Sequence, residues 1–73
     1  MEPTDEEVKA AIRRFWAWVE PNEIQKNTPY PTEDPELRAK YSEKEIGNKM
    51  YAMVDSGVLD YGVSIRTAWI VGE

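Results

Sequence analysis

The sequence predicts a single α+β domain in which helices come first and a two-stranded β-hairpin closes the chain. Two strings of the form Ser/Thr-x-x-Glu, Thr4 to Glu7 and Ser42 to Glu45, each introduce an apolar pattern of helical period. A run rich in β-forming residues, Thr67 to Val71, stands near the end. With 73 residues there is room for one domain, spanning 1–73.

The first helix is expected from about Thr4 to Val19. Asp5, Glu6 and Glu7 fill its first turn, where the helix dipole favours acids. Val8, Ile12, Phe15, Trp16 and Val19 form the apolar stripe, supported by Ala11. Pro21 ends the helix by disfavouring helical geometry at Glu20. Pro21 to Lys26 is expected to start a short second helix, with Ile24 as its anchor. Asn27 to Asp34 reads as a loop because prolines crowd it. Asp34 can cap a short turn at Pro35–Lys40, with Leu37 buried. From Ser42, Ile46, Met50, Met53 and Val54 mark another helix, which Ser56-Gly57 ends with a left-handed glycine. Val58–Tyr61 and Thr67–Val71 are the two strands, and Gly62–Arg66 is the turn. One core is expected from Ile12, Phe15, Trp16, Ile46, Met50, Met53, Leu59 and Trp69.

Composition narrows the function. The chain has no Cys and no His, which excludes disulfides, zinc fingers, thiolate nucleophiles and histidine acid–base chemistry. No Gly-rich phosphate loop and no activated nucleophile stand out, so neither an enzyme nor a cofactor is expected. No apolar run approaches the ~20 residues that span a bilayer. The acidic start after Met1 does not read as a secretory signal. A cytoplasmic protein with no membrane partner is therefore expected. The net charge is −5, and all of the excess lies in residues 1–37. That argues against non-specific binding to nucleic acid, which needs a basic surface.

One stretch carries a family resemblance. Met53-Val54-Asp55-Ser56-Gly57-Val58-Leu59, between a capped helix and a hairpin, resembles the recognition helix and wing of winged helix-turn-helix proteins. The preceding Trp18-Val19-Glu20-Pro21-Asn22-Glu23-Ile24 looks like a helix end and a helix start in the same fold. The resemblance implies a winged-helix domain, a small DNA-binding regulator of bacterial or phage type, double-stranded DNA as partner and a homodimer as a compatible assembly. The chain departs from the family at Asn27–Tyr41, where a short turn is usual.

On this reading the outward face of the Ser42 helix carries Lys44, Asn48 and Tyr51, spaced i, i+4 and i+7 on one stripe. Asn pairs bidentately with adenine, Lys reaches guanine or phosphate, and Tyr donates to phosphate. Gly47 lets a backbone approach closely. Arg66, near the hairpin tip, is placed to enter a minor groove. An ordinary solvated helix face and a solubilising arginine explain the same residues, and the sequence leaves both open.

A reading from another class also stands. An acidic protein-binding module, such as a phage-encoded inhibitor of a host nucleic-acid-processing protein, would engage a basic host protein. Its contact residues would be Trp18, Tyr30, Glu33, Asp34 and Glu36, in and beside the Pro-rich segment.

Overall fold

A computed structural model describes residues 1–21 and 28–73. The helix expected at Pro21–Lys26 and the first residue of the Asn27–Asp34 loop lie outside the described residues, Pro21 excepted. The described elements are helix α1 (Asp5–Val19), a 3₁₀ turn at Pro31–Glu33, a one-turn helix α2 (Pro35–Arg38), helix α3 (Glu43–Asp55), strand β1 (Leu59–Asp60), a second 3₁₀ turn at Ile65–Thr67, and strand β2 (Trp69–Ile70). The strands form one antiparallel pair, with Leu59 opposite Ile70 and Asp60 opposite Trp69. The described residues thus form three helices and a two-stranded sheet, an α+β fold. Among the described residues no helix is long and apolar enough to cross a membrane.

Both long helices begin as their sequences predict. The Thr4 hydroxyl accepts from Glu7 N at 3.1 Å, and Glu7 accepts from Thr4 N at 3.0 Å. Ser42 and Glu45 repeat the arrangement at 3.1 and 2.9 Å. The end of α3 is equally legible. Gly57 has φ +81°, Gly57 N donates to Val54 O at 3.0 Å, and Val58 N donates to Met53 O at 2.9 Å. These two bonds are a Schellman closure, which glycine makes without steric cost. It turns the chain straight into β1.

The core joins Val8, Ala11 and Ile12 of α1, Leu37 of α2, Tyr41, Ile46, Met50 and Met53 around α3, and Leu59, Ile65, Ala68 and Ile70 of the hairpin. Phe15 is equally buried; Tyr30 stacks on it at 5.4 Å and Trp16 meets it edge-on at 4.9 Å.

Two expected core residues are not in the core. Trp16 is 37% exposed and Trp69 is 43% exposed. On α1, Trp16 lies about 80° round the helix from Val8, at the margin of the stripe that Val8, Ala11, Ile12 and Phe15 fill. On β2 the two-residue alternation decides: Ala68 and Ile70 face inward, so Trp69 and Val71 face out.

The hairpin also differs from expectation. Its paired portions are shorter, and Gly62–Arg66 is not one open turn. Ser64 caps the 3₁₀ turn by accepting from Arg66 N at 3.2 Å, and buried Ile65 anchors that turn in the core. The stretch expected as a loop holds the 3₁₀ turn at Pro31–Glu33. Thr28, Pro31 and Thr32 are buried, so this stretch packs as part of the fold.

Candidate recognition surface

The N-terminal capping box of α3 sets the phase of its outward face. Ile46, Met50 and Met53 are buried, and Lys44, Asn48 and Tyr51 point to the opposite side, all exposed. Tyr51 is 48% exposed, and its ring meets that of Tyr61 edge-on at 6.1 Å. This pairing sets Tyr51 beside the residue that follows β1.

Lys44 differs from the other described cations in its pairing. Eight of the chain's nine Lys and Arg residues are described, and seven of them have an acid within ion-pair distance. Lys9 meets Glu6, Arg13 meets Glu73, Arg14 meets Asp34 and Glu36, Arg38 meets Glu43, Lys40 meets Glu7, Lys49 meets Asp5 and Arg66 meets Glu33. Lys44 alone has no acid partner among the described residues. The acids nearest to it in sequence are already engaged. Glu43 pairs with Arg38 at 3.4 Å, and the N-terminal ammonium sits 2.8 Å from Glu45 and depresses that carboxyl to about 2, with the Ser42 backbone N–H as a further cause. Two exposed acids remain by this face: Asp55, one turn beyond Tyr51, and Glu2, which lines a shallow cleft with Met1, Glu45 and Asn48.

Arg66 does not join the Lys44 face. Its guanidinium donates to Glu33 at 3.0 Å and lies over the Tyr30 ring, 4.1 Å from the centroid. The hairpin tip is instead Gly62–Ser64, with Val63 fully exposed. Arg66, Tyr30 and Phe15 form a stacked column that ties the hairpin to the Pro-rich segment.

The acidic residues singled out for protein binding are also engaged internally. Glu33 holds Arg66. Asp34, 6% exposed, accepts two hydrogen bonds from Arg14 and one from Leu37 N. Glu36 pairs with Arg14 at 2.7 Å. Trp18 is half-buried in the last turn of α1. The segment therefore presents little free negative charge. Which base neutralises which acid depends on distances across the fold, so sequence spacing alone did not reveal it.

The outward turn of two tryptophans creates a feature that sequence reasoning missed. A cleft of about 460 Å³ lies between α1 and β2, lined by Ile12, Trp16, Trp69 and Ile70, with the Arg13–Glu73 pair at its rim. The Trp16 indole N–H donates to Ala68 O at 2.9 Å, covering part of the outer edge of β2. The signal was present in the alternation of Thr67–Val71, but the size of Trp69 argued the other way.

No family pattern matches this chain, no curated protein is similar to it in sequence, and no solved structure matches its fold.

Proposed function

We propose that the chain is a small winged-helix DNA-binding protein, with α3 as the helix that enters the major groove. The observation that carries this reading is Lys44: it is the one described cation left without an acid, and it stands on the same exposed face as Asn48 and Tyr51. The order of elements supports it, because α2, a four-residue connection at 39–42, α3 and the hairpin follow one another as helix, turn, helix and wing.

In this role Asn48 pairs with an adenine edge, Lys44 reaches guanine or phosphate, and Tyr51 donates to phosphate. Arg66 takes no part unless it leaves Glu33. A net charge of −5 gives weak non-specific attraction, so affinity must come from a specific site. A small cytoplasmic regulator is the role that fits site-specific binding of this kind. The test is selection from a random-sequence duplex pool at ~50 mM salt, where electrostatic contacts are strongest. Enrichment of one sequence supports the reading, and no retained duplex ends it.

A second reading, protein recognition, is favoured by the cleft between Trp16 and Trp69. Half-exposed tryptophans flanking an apolar groove are the kind of anchor that dominates protein interfaces. On this reading the protein contact lies on α1 and β2 rather than on the acidic segment. Under this reading Trp69→Ala abolishes capture of one partner from lysate, while Lys44→Ala leaves it unchanged.

A further inference from the structure

Gly47 lies inside α3, four residues past its start, where glycine is the costliest residue after proline. A glycine in such a place ordinarily answers a local need. Either the backbone has positive φ, or a neighbouring element crowds the position. Neither holds here. The positive-φ glycines among the described residues are Gly57 and Gly72. Among the described residues, a Cβ built on Gly47 meets nothing within 4 Å outside its chain neighbours and the helix's own backbone. The fold would accept alanine in open space and would gain helix stability from it.

The position of Gly47 supplies the missing reason. It stands one turn after Lys44, one turn before Tyr51 and beside Asn48. On the helix it flanks the exposed face at the Tyr51 side, forming a low point between the unpaired cation and the tyrosine. We propose that Gly47 is the point of closest approach of a DNA strand, where the sugar–phosphate backbone rests against the helix main chain. This rests on the DNA-binding reading and deepens it. Lys44 is the described cation free to meet a phosphate, and it offers the strand one charge-assisted contact on a face that also carries Asp55. The bare backbone then lets that strand come nearer than a side chain would permit, bringing Asn48 within reach of a base edge. The glycine trades domain stability for fit to the partner.

The experiment compares the parent with Gly47→Ala and Gly47→Leu, using the duplex that the parent enriches from a random pool. Thermal melting, DNA titration and sedimentation without DNA are measured for each. Gly47→Ala is expected to melt above the parent, yet to bind the duplex at least about tenfold more weakly, a loss of 1.4 kcal/mol. Gly47→Leu is expected to bind more weakly still, because the obstruction grows with side-chain size. A more stable Gly47→Ala protein with parental affinity overturns the inference and leaves the DNA reading standing. A lower melting temperature also overturns it, since the fold itself would then need the glycine. So does a parent that sediments as a dimer while the alanine variant is a monomer, which would assign Gly47 to self-association. If the parent enriches no duplex, the DNA reading and the inference fall together.

Discussion

Arg14 of α1 clasps Asp34 with both arms of its guanidinium, at 3.1 and 2.7 Å, while the same carboxylate caps α2 by accepting from Leu37 N at 3.2 Å. Asp34 is buried, so these donors replace the water that its carboxylate loses on folding. Arg14→Ala leaves a carboxylate with one backbone donor in a dry position. The expected cost is about 1–3 kcal/mol, below the range for fully buried pairs because Arg14 is itself partly solvated. Urea unfolding measures it, and an unchanged midpoint would mean that water replaces Arg14 at no cost.

Exposed Lys44 and Asn48 can be replaced together by alanine without harm to folding. The melting curve should shift by no more than about 0.5 kcal/mol. DNA affinity should fall, with Asn48 contributing ~1–3 kcal/mol of base discrimination. Lys44→Ala alone should also reduce the salt dependence of binding. A folded double variant with parental DNA affinity would remove α3 from recognition.

Arg66→Ala breaks an exposed ion pair and a cation–π contact with Tyr30. Stability should fall by only about 1 kcal/mol. The affinity for DNA should not change, because Glu33 already neutralises this arginine. A clear loss of affinity in titration would show that Arg66 releases Glu33 on binding.

Phe15→Ala and Trp16→Ala should differ, although the two residues are adjacent. Phe15 is 1% exposed, and emptying its site should cost about 3–5 kcal/mol. Trp16 is on the margin of the core. Its loss removes one hydrogen bond to Ala68 O and an aromatic contact, for about 1–2 kcal/mol. Chemical denaturation of both variants checks the order; equal losses would contradict the placement of Trp16.

Acid should destabilise the domain through Glu7 and Glu45. Glu7 accepts from the Thr4 backbone N–H, from the Tyr41 hydroxyl at 2.9 Å and from Lys40, which hold it at about 2 against an ordinary 4.5. Glu45 is held at about 2 by the N-terminal ammonium and the Ser42 backbone. Both bind fewer protons folded than unfolded in this interval, so stability rises with pH between about 2 and 4.5 and is lost as pH falls through it. Melting temperatures across this range should drop toward the acid end. Glu7→Gln should flatten the drop and lower the plateau above pH 4.5. A parental slope in that variant would relieve Glu7 of the role.

Much of the fold was determined by sequence alone, because its causes are local. Thr4 with Glu7 and Ser42 with Glu45 satisfy backbone donors three residues away, and Gly57 ends α3 through its own φ. The buried side of α3 and the exposure of Lys44, Asn48 and Tyr51 followed from helical period. Other features needed the tertiary structure. Trp16 and Trp69 are large enough to suggest a core, but their direction depends on where α1 and β2 meet their neighbours. The Pro-rich segment reads as a loop until Pro31 and Thr32 are seen packed inside the domain. Most decisive are the charges: Arg14 finds Asp34 twenty residues away, and Arg66 finds Glu33 thirty-three residues away. Coulomb attraction acts through space and ignores chain order. Sequence could therefore name every acid and base, but only the folded chain could show that Lys44 was the one described cation left over.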